Sequence, residues 1–310
     1  MLKLVGAVLA ELDLVPPGVP LGYHVNITSG ESLAISAFVD RRRFFQVKAS
    51  EYSDLRGQYD AYCRASQAHP ALVPRPLGFV ARDGWTIMVS EGVHHTPVHA
   101  ADFRRERRGG GALMDDALAF FAAGQQRDGA PGPALCHQEL FAALEQHFAP
   151  TPYVDLAARC LRGARALRAD SLGRVPQHGD LVINNLAYSE GRLIVFDWED
   201  YGKVELPGFD LFTLSLSMLS GDAGAIRAMT DPNTPDKRLL DFLQRACALQ
   251  GLRVDLYRRL IPLYLLVFLY LKRLYGVSIQ ERIGALLVGA VDADPAARQP
   301  VRELEFVCAP

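Results

Sequence analysis

The distribution of apolar and polar residues divides the chain into a strand-rich first part and a helical second part. Short runs of β-type residues predict strands over residues 23–28, 33–40, 44–48, 79–81 and 85–90. One helix, over residues 53–67 with Ser53 as a possible N-cap, is expected between the third and fourth strands. The spacing of apolar residues then predicts helices over 114–126, 137–148, 153–168, 211–220, 222–230, 235–250, 254–275 and 278–290. We therefore expect two domains, residues 1–92 and residues 93–310.

One hairpin within the helical part has polar clusters on both sides. Two short apolar runs, 186–188 and 192–196, flank a turn at residues 189–191. Asp180 and Asn185 precede the first run, and Asp197 follows the second. The hairpin is expected to bring these three side chains to one end of a rigid ribbon.

These three residue types suit phosphoryl transfer, a reaction that depends on positioning and charge neutralisation more than on covalent chemistry. Asp180 could accept a proton from an attacking hydroxyl group. Asn185 and Asp197 offer the oxygen ligands that Mg²⁺ prefers. The alternative is purely structural: Asp180 would cap a turn, and Asp197 would end a strand.

The order of residues in this segment resembles one group of enzymes. The loop from His178 to Asn185 reads HGDLVINN, and the second motif, from Asp197 to Glu199, reads DWE. Both motifs resemble those of the aminoglycoside phosphotransferase and choline kinase group of small-molecule kinases, in which the loop commonly reads HGDLHPGN and the second motif IDWE. The resemblance implies an α+β, protein-kinase-like two-lobe fold, with an antiparallel-sheet N-lobe and a mainly helical C-lobe.

The resemblance also implies a reaction and a set of roles. The γ-phosphoryl group of ATP or GTP would move, assisted by Mg²⁺, to a hydroxyl group of a small molecule. Asp180 and His178 would be the catalytic residues: Asp180 would position or deprotonate the hydroxyl, and His178 would support the loop. Asn185 and Asp197 would hold the metal. Residues 1–92 would bind the nucleotide, and residues 93–310 would contain the catalytic loop and the acceptor site.

The nucleotide-binding residues implied by the resemblance lie on the predicted strands. Lys48, at the end of the third strand, would pair with the α- and β-phosphates. Ser29 and Gly30 lie in the turn between the first two strands, where backbone N–H groups could meet phosphate. Taken alone, a lysine at a strand end is usually solvated, and an ordinary hairpin turn explains the Gly-bearing turn at least as well.

The interlobe hinge of the family corresponds to the end of the fifth strand. There, backbone groups of Ser90, Glu91 and Val93 would meet the adenine edge, although an ordinary strand end has the same sequence pattern. Gln58 departs from the family, because it occupies the helix position where a Glu would orient the strand lysine. This departure keeps a non-catalytic nucleotide-binding module open as an alternative, beside a protein Ser/Thr kinase-like enzyme.

The composition excludes several other functions. The net charge is −2 and 22% of residues are charged, so neither nucleic acid nor an anionic membrane is an expected partner. The five cysteines are widely spread, which argues against a disulfide framework or zinc site and favours a reducing, cytoplasmic location. The apolar run at residues 260–271 is too short to cross a bilayer and contains Pro262.

The charge of the second domain bears on the acceptor. Residues 201–310 contain twelve Asp or Glu and thirteen Lys or Arg, whereas polycationic aminoglycosides usually require an acidic pocket. A neutral or mildly charged hydroxyl acceptor, such as a sugar, nucleoside or amino alcohol, is therefore favoured over an aminoglycoside antibiotic. The arginines at 104, 105, 107 and 108 are interpreted as a solvated insert, with an anion-binding patch as the alternative. The oligomeric state is left open.

Overall fold

A five-stranded antiparallel sheet contains all the strands predicted in the first part of the chain. The computed structural model describes residues 1–27, 32–103, 112–125, 137–219, 221–274 and 277–293. The strands are β1 (Gly22–Ile27), β2 (Ser32–Phe38), β3 (Phe44–Ser50), β4 (Pro76–Arg82) and β5 (Trp85–Glu91). Their order in the sheet is β1-β2-β3-β5-β4. The central strand β3 therefore pairs on both sides, with Lys48 opposite Ala34 of β2 and Met88 of β5.

The sheet has an additional helix that the sequence analysis did not predict. Helix α1 (Leu2–Glu11) buries Val5, Val8 and Leu9 completely in a core shared with the inner faces of β2, β3 and β5. Its packing supplies the stability that a ten-residue helix lacks in isolation. The expectation of a single helix in this part of the chain was thus wrong.

The predicted helix between β3 and β4 is present but begins later than expected. Helix α2 spans Arg56–Ala68, and its N-cap position is Leu55 rather than Ser53. The hydroxyl of Ser50 accepts hydrogen bonds from the N–H groups of Tyr52 and Ser53, which keeps this segment in a turn.

The predicted hairpin forms a second, three-stranded sheet. Strands β7 (Leu186–Ser189) and β8 (Arg192–Val195) pair antiparallel, and β6 (Thr96–Pro97) adds to the other edge of β7. The turn between β7 and β8 has positive φ at Glu190 and Gly191, which is the geometry of a tight hairpin whose twist matches its strands.

The chain packs as two units that are discontinuous in sequence. The first comprises residues 1–129 and 175–205, and the second comprises residues 130–174 and 206–310. Both sheets, α1, α2 and α3 (Ala112–Gln125) belong to the first unit. The second unit contains α4 (Gln138–Phe148), α5 (Val154–Ala166), α6 (Phe209–Met218), α7 (Ala223–Thr230), α8 (Lys237–Leu249), α9 (Val254–Leu271) and α10 (Val277–Ala293). The functional boundary at residue 92 stays a prediction.

The apolar run at residues 260–271 lies in α9, where Tyr257, Leu260, Ile261 and Tyr264 are completely buried in protein. Among the residues that the structure describes, no helix is both long and apolar enough to cross a membrane.

Candidate active site

The hairpin aligns the two polar motifs side by side. Leu186 of β7 faces Val195 of β8, and the pairing continues one step further because Phe196 N donates to the carbonyl oxygen of Asn185 at 2.9 Å. Asn185 and Asp197 therefore lie next to each other at one end of the ribbon. This is the arrangement that the sequence predicted, and it follows from local strand pairing alone.

The loop before the hairpin is fixed by its own hydrogen bonds. The side-chain amide Nδ2 of Asn185 donates to the backbone oxygen of Asp180 at 2.9 Å, and Val182 N donates to the same oxygen at 2.9 Å. Because an amide nitrogen must face that carbonyl, the side-chain oxygen Oδ1 of Asn185 points the other way. The amide is thus oriented so that it can offer an oxygen to a cation.

His178 connects the loop to the strand end that precedes Asp197. The ring is completely buried, its Nδ1 accepts from Asp180 N at 3.2 Å, and its Nε2 lies 2.8 Å from the carbonyl oxygen of Phe196. Since Nδ1 accepts, Nε2 must be the protonated nitrogen and donates to Phe196. The imidazole is therefore neutral and acts between the two motifs as a fixed brace.

Gly179 allows the loop to pass close to the turn that follows Asp197. Its φ is +88°, and a Cβ at this position would lie 2.9 Å from the Cβ of Asp200 and 3.0 Å from the oxygen of Asp200. A side chain does not fit between these two segments without displacing one of them. The close approach to Asp200 thus explains why glycine occupies this position of the HGD motif.

Trp198 anchors the second motif. Its ring is completely buried, and its Nε1 donates to the carbonyl oxygen of Val195 at 2.7 Å. The ring centroids of His178 and His69 lie 4.6 Å and 5.3 Å from that of Trp198. Asp197, directly before Trp198, has φ 64° and ψ 50°, so its backbone turns sharply just where the strand ends. The tryptophan holds this turn while the flanking acids stay accessible.

Negative charge is concentrated around Asp197. Its side chain keeps exposed surface, yet the surrounding protein raises its pKa to about 6, first through desolvation and then through the neighbouring carboxylate of Glu199. The ammonium of Lys48 opposes this rise in pKa, and the carboxylates of Asp180 and Asp200 add to it. Such a set of carboxylates disfavours its own ionisation unless a cation shares the space.

The oxygen donors here fit a magnesium ion. The described residues contain no cluster of three or more His, Cys, Asp and Glu that would hold a metal by themselves. Magnesium does not require one, because it usually takes one or two protein oxygens and completes its shell with water and substrate phosphate. The carboxylate of Asp197 and the oriented Oδ1 of Asn185 are suitable oxygens of this kind.

Lys48 has a carboxylate partner that could not be predicted from the spacing of residues in the sequence. Its ammonium forms an ion pair with Glu199, and the two side chains are 25% and 28% exposed. Gln58, on α2, has a buried Oε1 with no hydrogen-bond partner within the described part of the chain. The acid beside the strand lysine therefore comes from the DWE motif and not from α2.

The predicted hinge residues are at the end of β5. Ser90 and Glu91 are paired within the sheet, and the N–H groups of Glu91 and Gly92 donate to the carbonyl oxygens of Arg75 and Phe44. These two N–H groups are therefore not available to the adenine base of a nucleotide. Val93, the remaining residue of the predicted hinge, follows them in the chain. Ser29 and Gly30 lie outside the described residues.

A glycine in this segment was missed by the sequence analysis. A Cβ on Gly92 would lie 2.4 Å from the carbonyl oxygen of Phe44, so only glycine permits this approach of β5 to β3. Its sequence signal was the glycine at the end of a strand, which marks a close backbone approach.

Comparison with known proteins decides the family. A model described as the phosphotransferase enzyme family matches residues 25–259 of the chain. The chain belongs to this family. No curated protein sequence matches it.

Solved structures of low sequence identity share the fold. Plasmodium vivax ethanolamine kinase has a TM-score of 0.65 and 11% identity, over 93% of this chain and 88% of that chain. A choline/ethanolamine kinase family protein from Mesorhizobium loti has a TM-score of 0.58 and 17% identity, over 96% and 95%. A thermostable variant of aminoglycoside phosphotransferase APH(4)-Ia, in a ternary complex with ADP and hygromycin B, has a TM-score of 0.56 and 17% identity, over 91% and 97%. The predicted α+β, protein-kinase-like fold and the predicted phosphotransferase class are thereby confirmed.

Proposed function

We propose that this phosphotransferase moves the γ-phosphoryl group of ATP or GTP to a hydroxyl group of a small molecule. The observation that supports this most strongly is the convergence of Asp180, Asn185 and Asp197 at one end of the hairpin, with the Lys48–Glu199 ion pair formed from the same acidic motif. This set offers a base, a pair of metal ligands and a phosphate-binding cation within a single unit of the chain.

Each residue has one role in the proposed reaction. Asp180 positions the acceptor hydroxyl and takes its proton, while Lys48 binds phosphate oxygens of the donor. Asn185 and Asp197 would hold Mg²⁺, which when bound neutralises charge on the phosphates. His178 keeps Asp180 and Asp197 at a constant separation, because it bonds to the backbone of both motifs.

Glu199 orients Lys48 in place of the missing helix carboxylate. Because Gln58 supplies no charge, the lysine of this chain would otherwise approach the phosphates without an acidic partner. The Lys48–Glu199 pair supports an active enzyme over a non-catalytic module, because it gives the lysine an acidic partner despite Gln58. We therefore favour an active enzyme.

The acceptor is proposed to be neutral or mildly charged. The nearly equal numbers of acidic and basic residues between 201 and 310 argue against a polycationic acceptor, although ethanolamine kinase and an aminoglycoside phosphotransferase share the fold. Only nine residues, 200–208, lie between Glu199 and the first residue of α6, Phe209, which leaves no room for the long activation loop of a protein kinase. Amino alcohols, sugars and nucleosides are the acceptors we favour.

A phosphate-transfer screen tests the proposal directly. Purified protein with Mg²⁺ and either ATP or GTP is incubated with panels of amino alcohols, sugars, nucleosides and aminoglycosides, and nucleoside diphosphate is measured. We expect acceptor-dependent diphosphate release with one panel and one preferred nucleotide. Binding of Mg²⁺–nucleotide without any transfer or slow hydrolysis would instead favour the non-catalytic alternative.

Replacing the proposed base provides the second test. Asp180→Ala is expected to lower kcat by several orders of magnitude while nucleotide binding stays within about twofold, because Asp180 acts on the acceptor. Asp83→Asn is the matched control, since Asp83 lies on an exposed turn with positive φ, where Asn is equally well tolerated. Turnover that survives in Asp180→Ala would show that the role is assigned to the wrong residue.

A further inference from the structure

The second unit contains a cavity whose lining includes none of the residues assigned to the proposed reaction. It has a volume of about 500 Å³ and is formed by one face each of α7, α9 and α10. This volume lies in the range of sites that take small molecules. All of its lining residues belong to the second unit.

Small and apolar residues create the space. Ile226, Ile261 and Leu286 line it, together with the small residues Ala285 and Gly289 of α10. A Cβ on Gly289 would meet nothing within 4 Å, so the helix face here adjoins open space and not a packed neighbour. An apolar group of moderate size would remove this surface from water.

The charged residues of the cavity are mostly positive. Three arginines line it, Arg227, Arg258 and Arg259, against the single acid Asp231. Arg227, Arg259 and Asp231 are exposed and stand at the rim. The site thus combines an apolar interior with an excess of positive charge.

Arg258 lacks partners for most of its donors. Its side chain is 10% exposed, and its only ion pair among the described residues joins Nη1 to Asp255 at 3.6 Å. Its Nε and Nη2 are buried and have no hydrogen-bond partner in the described ranges of the chain. A buried guanidinium with unsatisfied donors lowers the stability of the folded state. An anion beside it would satisfy both donors at once. Arg258 is itself a lining residue, and a change of its side-chain rotamer, which is common at binding sites, would bring these donors to an anion in the cavity.

Pro262 adds a second polar feature on the same helix face. It lies inside α9 and has no N–H, so the carbonyl group of Arg258, four residues earlier, does not receive the usual helical hydrogen bond. Both residues line the cavity. The helix segment that lines the cavity thus contains a carbonyl oxygen without its helical donor, which a protonated head group or a bound water could satisfy.

We propose that this cavity binds a small amphipathic anion, with its apolar body between α7, α9 and α10 and its carboxylate or phosphate head on Arg258. The proposal stands independently of the phosphoryl transfer. Arg227 and Arg259 at the rim would attract the anion and exclude cations.

Calorimetric titration of the full chain tests the proposal with ligands that separate the two features. Sodium octanoate and octyl phosphate have both a chain and a charge, 1-octanol has the same chain without charge, and acetate has the charge without the chain. We expect one of the two amphiphilic anions to bind saturably at one site, at least about tenfold more tightly than octanol or acetate. Whichever anion binds more tightly identifies the preferred head group.

Two variants with matched controls localise the binding. Arg258→Gln should weaken it by about tenfold or more, whereas Arg253→Gln should leave it within about twofold. Arg253 also pairs with Asp255 at 3.6 Å, but its side chain is 85% exposed and does not line the cavity. Gly289→Leu should abolish binding by filling the space without a clash, and Gly57→Leu is its control on another helix glycine with an open Cβ direction.

Three results would overturn the proposal. They are the absence of saturable binding of either anion, equal affinity for 1-octanol, or binding that survives in both Arg258→Gln and Gly289→Leu. Circular dichroism and urea midpoints establish that each variant is folded, and Gly289→Leu keeps the test decisive should Arg258→Gln prove unstable.

Discussion

Gly179→Ala tests the contact that holds the two catalytic motifs together. The substitution adds one methyl group to the HGD loop. That methyl would lie 2.9 Å from the Cβ of Asp200 and 3.0 Å from its carbonyl oxygen. Asp200 belongs to the same short turn as Trp198 and Glu199, so any displacement also reaches Asp197.

Two costs add at this position. Alanine at a φ of +88° has an unfavourable left-handed conformation, which costs about 1 to 2 kcal/mol. Overpacking against a segment that is held on its other side by a buried tryptophan costs about 1 to 3 kcal/mol more. We expect the free energy of unfolding to fall by about 2 to 5 kcal/mol, a large share of the total stability of an ordinary domain.

Gly191→Ala is the matched control on the same hairpin. Gly191 has a φ of +75°, but a Cβ there would meet nothing within 4 Å, so only the backbone cost of about 1 to 2 kcal/mol applies. Urea unfolding can be followed by tryptophan fluorescence, since Trp198 is one of two tryptophans in the chain. The difference between the two variants isolates the steric contact with Asp200.

Activity should separate the two variants more sharply than stability does. Gly179→Ala is expected to lower kcat by at least about tenfold, because the near-ångström placement of Asp180 against Asp197 is lost. Gly191→Ala should keep kcat within about twofold. If the two variants were equally stable and equally active, the close approach of the loop to Asp200 would be refuted as the feature that aligns the motifs.

Three further predictions concern the charges of the site. Lys48→Met and Glu199→Gln should each lower kcat/KM for the nucleotide. Because both act through one contact, the double variant should lose less activity than the product of the two single losses. Losses that multiply fully would count against the ion pair. Asp197→Asn should raise the thermal midpoint in the absence of metal above pH 6, with the gain shrinking toward pH 4. The reason is that the raised pKa of Asp197, about 6, makes its ionised form destabilising in the folded state, and this effect is complete only above that pKa; an equal gain at pH 5 and pH 8 would contradict it. Asn185→Asp should lower the free energy of unfolding by about 1 to 3 kcal/mol and should also lower kcat, because a carboxylate oxygen would then face the backbone oxygen of Asp180. Urea midpoints and turnover that match the parent protein would refute this orientation of the amide.

The hairpin and its polar ends could be predicted because their determinants are local. Asn185 and Asp197 become neighbours through a two-residue turn and four paired residues on each strand. The apolar periodicity was also sufficient to predict helices: Pro262 and the buried aromatic residues around it lie within a helix that the pattern predicted. In these segments, neighbouring residues in the sequence determine the structure.

The features that were missed depend on contacts distant in sequence. Helix α1 is stabilised by its burial against the sheet, and neither end of its sequence has a recognisable cap. The Lys48–Glu199 pair joins residues 151 positions apart, so no spacing rule could reveal it. The start of α2 was wrong for a related reason: the hydroxyl of Ser50 stabilises a turn that competes with a helix beginning at Ser53.

The strained turn at Asp197 and the crowded charge around it have a common explanation in the proposed reaction. An aspartate tolerates the left-handed conformation better than most residues, and this conformation directs the chain from the strand into the buried Trp198. The same turn brings Glu199 to Lys48 and leaves the carboxylate of Asp197 among other acids, with a pKa raised to about 6 by desolvation and by Glu199. A protein without a cationic ligand would gain stability by relaxing this arrangement, because strain and like-charge repulsion both oppose it. Its retention by a buried histidine, a buried tryptophan and a glycine at which a Cβ does not fit is what the proposed site for a divalent cation and phosphate would require.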